Sequence, residues 1–199
     1  MKHKNMDILL EALSKRILIL DGATGTQLQK QGLTERDFHH ELFKTDKALK
    51  GNNDLLCISC PQAVQKVHRD YLEAGADIIE TNTFNANAIS QAEYGLAEHV
   101  YALAKAGAAV ARQCADEYTA KNPSKPRFVA GSMGPTSRTA SMSPDVNNPA
   151  FRNVTFEELA ATYKEQALGL IDGGADILMI ETIFDTLNCK AAIFGIQDA

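Results

Sequence analysis

Carboxylates recur along this chain at the ends of short apolar runs. Asp21-Gly22-Ala23-Thr24-Gly25-Thr26 closes the first run, Glu80-Thr81-Asn82 a second and Ile180-Glu181-Thr182 another. A carboxylate just past a buried strand can serve as a general acid or base, or hold a substrate ammonium. It can equally be a structural group that orients neighbouring loops. Both readings stand for Asp21, Glu80 and Glu181. The two glycines of the first segment let backbone approach a ligand closely, and its amides and hydroxyls could bind a carboxylate or phosphate. A tight turn with a capping Thr explains the same residues. No Gly-Lys-Ser/Thr follows, and GxGxxG spacing is missing, so this is neither a Walker loop nor a dinucleotide fingerprint. Gly131-Ser132-Met133-Gly134-Pro135 is a similar turn, open to the same two readings.

Cys57-Ile58-Ser59-Cys60 has the CxxC spacing of zinc and redox sites, but it is a lone pair in a helix-entry loop before Pro61 and reads as neither. Cys114 and Cys189 fall on helical stretches and read as packing residues. His39-His40, His68 and His99 lack ligand spacing and read as solvated or core-edge histidines. Lys121 to Lys125 reads as a solvated linker.

The elements that must position these residues alternate. Apolar runs at Lys15–Gly22, Asp77–Glu80, Arg127–Gly131 and Asp176–Glu181 read as buried strands. Between them lie helical stretches. One begins at Pro61 and stops at Ala74-Gly75. An alanine-rich one runs from about 86 to 118 with a break near Gly95. A third is capped by Thr155 with Glu158 and stops at Gly173-Gly174, and a fourth starts at Thr186. A further helix precedes the first strand. Glu73 to Phe84 resembles Asp172 to Phe184: a helix stops at glycine, an Asp opens a strand and a Glu-Thr pair ends it. Tight loops in any two βα units explain the Gly-Ala-Asp part as well as a true repeat does. The Glu-Thr part places carboxylates at the C-terminal mouth of the sheet, where α/β barrels keep their chemistry. Alternation with continuously apolar strands predicts an α/β fold with a parallel sheet covered by helices. Four βα units leave a choice between a flavodoxin-like open sheet, which typically needs five, and a TIM (βα)8 barrel, which needs eight; with the fourth helix cut off uncapped, the first four units of a barrel are expected.

With 199 residues, 45% hydrophobic and 23% charged, the chain is an ordinary globular one of about one domain. A net charge of −5 disfavours non-specific nucleic-acid binding. No apolar run approaches the roughly 20 residues of a membrane span. The basic start lacks the apolar region of a secretory signal, and four cysteines are too few for a disulfide framework, so the cytoplasm is expected.

Taken together, the segments at Asp21–Thr26, Lys50–Asp54, Gly75–Phe84, Gly131–Thr136 and Ile180–Thr182 resemble the homocysteine S-methyltransferase family. Ser143–Asn153 resembles the N-terminal module of its cobalamin-dependent methionine synthase branch. The resemblance implies a (βα)8 barrel in which zinc activates homocysteine as a thiolate toward a methyl group carried on cobalamin. That methyl derives from methyltetrahydrofolate, handled by folate- and cobalamin-binding domains of a parent protein. It implies that Asp21 and Glu181 lie near the homocysteine amino group. Gly22, Ala23, Thr24, Ser132 and Gly134 would belong to mouth loops, and Glu80, Thr81 and Asn82 to a second-strand mouth motif. The family's zinc cysteines match none of Cys57, Cys60, Cys114 and Cys189; the resemblance places them in later strands, beyond Ala199. Residues 1–199 are therefore expected to be the first part of such a domain: no metal ligand, no catalytic residue of their own, inactive alone, and prone to self-associate through open sheet edges. A non-catalytic amino-acid-binding or purely structural half barrel is the alternative.

Overall fold

A computed structural model of the chain describes residues 2–199, with side chains from Asn5 onward. Its α/β fold is built on three parallel strands, β1 (Ile78–Glu80), β2 (Phe128–Met133) and β3 (Ile177–Ile180), lying side by side in chain order. Ile78 pairs with Phe128, and Ala130 with Ile177. Parallel neighbours require crossovers, supplied by α6 (Val100–Lys121) between β1 and β2 and α7 (Phe156–Gly173) between β2 and β3. Helix α4 (Pro61–Ala74) precedes β1, and α8 (Thr186–Gln197) follows β3. Ile79 and Val129 pack with the buried Ala111 and Cys114 of α6. Met133, Leu178 and Ile180 pack with Tyr163 and Leu170 of α7 and Ala191 of α8.

The helix boundaries follow local chemistry. Pro61 presets φ at the first turn of α4, and Gly75 ends that helix at φ 108°. Thr155 and Glu158 form the reciprocal capping box of α7, which ends at Gly174 with φ 99°. Asp185 caps α8 by accepting the Leu187 and Asn188 amides at 2.9 and 3.2 Å. The alanine-rich stretch breaks at Gly95, leaving the one-turn α5 (Ala88–Gln91) ahead of α6.

The two Gly-Ala-Asp segments do the same job at the N-terminal ends of their strands. Asp77 accepts the Ile19 amide at 2.9 Å and a two-pronged bond from Arg16 at 2.7 and 2.8 Å. Asp176 accepts the Val129 amide at 2.9 Å and a guanidinium N–H of Arg112 at 2.6 Å. Each aspartate thereby pins its strand to the preceding one. Burial pushes the Asp77 carboxyl up, but the Arg16 bonds, the Ile19 amide and the charges of Lys125 and Arg16 outweigh it, taking it down to about 2.

Several expectations need correction. Lys15 is the last residue of α1 (Lys2–Lys15), and the expected first strand touches the sheet only at a Leu20–Ile78 bridge. The Asp77 and Ile78 amides donate to the Ile19 carbonyl, but nothing among the described residues pairs on the other side, so Ile17 is 85% and Ile19 56% exposed. Strand β2 runs on through Gly131, Ser132 and Met133, where the sequence suggests a turn. Cys57 to Ser59 form part of a one-turn helix, α3 (Leu56–Ser59), rather than a loop. His68 is fully buried, not at a core edge. Lys125 is a clamp rather than a solvated linker residue: its ammonium donates to the Gly75 carbonyl at 2.8 Å and lies 3.5 Å from Asp77.

Candidate functional site

The segments after Leu20, β1, β2 and β3 converge at the C-terminal ends of the strands around a cleft of about 420 Å³. Gly22, Ala23 and Thr24 form one wall, with Thr24 opening the short helix α2 (Thr24–Gln29). Glu80, Thr81, Asn82, Ser132 and Glu181 line it as well. Eight of the ten residues expected at the site therefore line one cavity. Asp21 lies just beneath: both its carboxylate oxygens accept the Glu80 amide at 3.1 Å. Gly134 does not line the cleft. Its amide donates to the Phe84 carbonyl at 3.1 Å, and a Cβ at this position would fall 2.5 Å from that oxygen, so it seats the Phe84 loop instead.

Hydroxyls lock β1 to β2 beneath the cleft. The Ser132 amide donates to Thr81 Oγ1 at 2.9 Å, and Thr83 Oγ1 donates to the Ser132 carbonyl at 2.8 Å. Thr81 and Thr83 are joined at 2.6 Å, and buried Gln166 of α7 donates to the Thr83 carbonyl at 2.8 Å. With its backbone groups so engaged, Ser132 turns its hydroxyl to Glu181 and donates to that carboxylate. Asn82 donates to the Asn53 carbonyl at 2.6 Å, and its own carbonyl accepts the Cys57 thiol at 3.2 Å. Thr182, directly after Glu181, has φ 55°, a left-handed conformation unfavourable for a β-branched residue and the kind of strain that collects at functional sites.

The site is acidic and lacks a counter-charge among the described residues. Burial raises the Asp21 carboxyl to about 8; the charges of Glu80 and Glu181 add to this, and the Glu80 amide opposes it. Burial, then the charge of Glu181, raises Glu80 to about 7. No described Lys, Arg or His lines the cleft. Asp54, unassigned from sequence although within the Lys50–Asp54 motif, also borders it. Burial raises Asp54 to about 7 against the amides of Asn85 and Ala86. Gly25, one of the two glycines singled out from sequence, also lines the cleft, as do Gly51, Asn53 and Phe84 of the other motif segments; Asn85 lines it too and lies just outside them.

The four cysteines do not fit a zinc site. Cys57 and Cys60 are buried together in one core cluster and Cys114 in another, and burial pushes the Cys57 thiol up to about 12, the reverse of what a thiolate ligand needs. Among the described residues, no group of three or more His, Cys, Asp or Glu side chains is placed to hold a metal ion. Ala199, the position beyond which the family's zinc cysteines are expected, closes the last turn after α8, its amide donating to the Ile196 carbonyl at 3.3 Å.

An α/β fold with parallel strands and an acidic cleft at their C-terminal ends defines a class of small-molecule enzyme scaffolds. The family model for homocysteine S-methyltransferase matches residues 18–199, and the chain belongs to that family. Its fold is similar to the homocysteine methyltransferase MmuM from Escherichia coli in its metallated form, with a TM-score of 0.72 and 26% identity over 94% of this chain and 62% of that one. The apo form matches with a TM-score of 0.64 and 25% identity over 94% and 57%. The chain thus spans about 60% of the length of these solved relatives.

Proposed function

We propose that residues 1–199 form the homocysteine-binding part of a methyl-transfer enzyme, as four βα units of a (βα)8 barrel. The Ser143–Asn153 resemblance favours the cobalamin-dependent methionine synthase branch. In this reading the substrate ammonium enters between Asp21, Glu80 and Glu181, and its carboxylate meets backbone amides of Gly22 to Thr24. Thr81, Asn82 and Ser132 hold the walls, and Gly134 acts indirectly by seating the Phe84 loop. The observation that carries it is the convergence of these three carboxylates without a cation, within a chain of this family. An arriving ammonium supplies the missing charge and releases a proton from the Asp21–Glu80 pair.

In methyl transfer the homocysteine sulfur forms a bond to the methyl carbon, the carrier keeps the electron pair of the broken bond, and the thiol proton departs. A free thiol titrates near ~8.5, so activation is needed at neutral pH. Zinc supplies it in the family. This chain's cysteines do not fit zinc, so these residues bind and orient, and turnover by residues 1–199 alone is expected to be absent. Methyl delivery would fall to folate- and cobalamin-binding domains of the parent protein. With edges unpaired among the described residues at Ile17–Leu20 and β3, the 199-residue chain self-associates.

Titration calorimetry at pH 7 tests the binding claim. L-homocysteine should bind with proton release, read from buffers of different ionisation enthalpy, and 4-mercaptobutanoate, which lacks the amine, should bind at least about tenfold more weakly. Equal binding of the two would refute the ammonium assignment.

A further inference from the structure

A second cavity of about 310 Å³ adjoins the cleft and has a different chemistry. Gly51 and Asn85 line both, so the two spaces share a partition. The second is walled by neutral hydrogen-bonding side chains, with Glu93 the sole charged group among its described lining residues.

Its back wall is built rather than incidental. Asn52 and Gln91, both buried, exchange amide hydrogen bonds at 2.7 and 3.2 Å, and Gln91 Nε2 also donates to the Asn85 carbonyl at 3.0 Å. Thr136, also in the lining, donates to the Arg138 carbonyl at 2.6 Å and accepts from Asn188 of α8 at 3.1 Å. These groups satisfy each other and hold the wall rigid. Ser137 and Asn85, both exposed, and half-buried Tyr94 also line the cavity, with their hydroxyl and side-chain amide groups open to a ligand. Hydroxyls and an amide at the cavity surface, ahead of a rigid amide pair, can both donate and accept toward an uncharged group. With Glu93 the sole charge and no Lys, Arg or His among the described lining residues, an anion meets repulsion and no counter-charge, and a cation meets one carboxylate only.

We infer that this cavity is a subsite for a carboxamide-type group, carried by the second reactant that meets homocysteine across the Gly51–Asn85 partition. The subsite itself rests on its own lining; only its assignment to the second reactant rests on the proposed function.

Amide-proton and side-chain NH₂ shifts of the isotope-labelled 199-residue chain test it, with propionamide, propionate and propylammonium as probes at millimolar concentration. Propionamide should move the Asn52, Gln91 and Ser137 signals saturably while the Glu80 and Glu181 signals stay in place. Propionate should leave the cavity signals unmoved. Tyr94→Phe with Ser137→Ala, two changes confined to the second cavity, should weaken the propionamide response at least about fivefold; retained chemical-shift dispersion will show that the double variant is folded. Propionate or propylammonium matching propionamide at these residues, no saturable response to any probe, or an undiminished response in the double variant would each overturn the subsite. Homocysteine added to the same sample reports separately on the cleft: a failure there with a propionamide response intact removes the second-reactant assignment alone.

Discussion

Replacing Asp21 with Asn should make the protein more stable and worse at binding. Asp21 is raised from 3.8 to about 8 by burial and by the charges of Glu80 and Glu181. Between those pH values the folded chain holds a proton that the unfolded chain has released, so stability falls as pH rises through this window. Each pH unit in the window is worth about 1.4 kcal/mol at full effect, a ceiling of about 4 kcal/mol at pH 7. The carboxylate lies just beneath an open cleft and keeps the Glu80 amide, so solvent screening reduces the expected penalty to about 1–2 kcal/mol. Asn keeps one oxygen for that amide and removes the charge. Thermal melts of both proteins from pH 4 to 9 should coincide near pH 4 and diverge as pH rises, the variant melting about 3–6 °C higher at pH 8. Homocysteine affinity should fall about tenfold or more, as expected for losing a partly buried charge partner of an ammonium. A variant less stable at pH 8, or offset equally at all pH values, would refute the claim that uncompensated charge is stored at the mouth.

Other consequences are equally measurable. Asp77→Asn should cost about 2–3 kcal/mol in urea unfolding at pH 7; because Asp77 is lowered to about 2, that stability is present above the unfolded value near 3.8 and is lost as pH falls toward 2, where variant and parent should converge. Buried His68, with both ring nitrogens unpartnered among the described residues, is lowered from 6.5 to about 4 by burial, so the fold loses stability as pH drops through that window; His68→Leu should flatten the loss and gain about 1–2 kcal/mol at pH 5. Gly134→Ala should destabilise by about 2–4 kcal/mol, since its Cβ would meet the Phe84 carbonyl, and a neutral result would show that the loop yields freely. Sedimentation of the 199-residue chain at micromolar concentration should show dimers or larger species, and a clean monomer with a cooperative melt would defeat the self-association claim.

What can be read from the sequence is what short-range chemistry decides. Pro61, the Thr155–Glu158 box and the glycines at 75, 95 and 174 act within a turn of themselves, and each bounds its helix as expected. The first strand escapes such a reading because a run such as Ile17-Leu18-Ile19-Leu20 is a strand only if something pairs with it, and its pairing is a single bridge. His68 and Lys125 escape it for a related reason: whether a polar side chain is buried, or clamps a carbonyl 50 residues away, depends on packing that no local pattern encodes. At the site, Asp54 goes unassigned because its importance comes from full burial beside the cleft, not from its spacing.

The opposite fates of the aspartates explain why one residue type recurs at both ends of these strands. Asp77 and Asp176 sit at the N-terminal ends, each joined to an arginine and to an amide of the neighbouring strand, and there the charge fixes register. Asp21 sits at the other end of the same layer, also bonded to a neighbouring amide, but facing two glutamates and no cation among the described residues. Adding a lysine or arginine at the mouth would relieve that repulsion and stabilise the free chain, yet it would also occupy the position an ammonium needs. The carboxylates paired with arginine hold the scaffold together, and the unpaired ones leave a destabilised cluster whose relief, in the proposed reading, comes from a ligand ammonium. That asymmetry, more than the presence of any single acidic residue, separates the cleft end of this sheet, the proposed binding end, from its structural end.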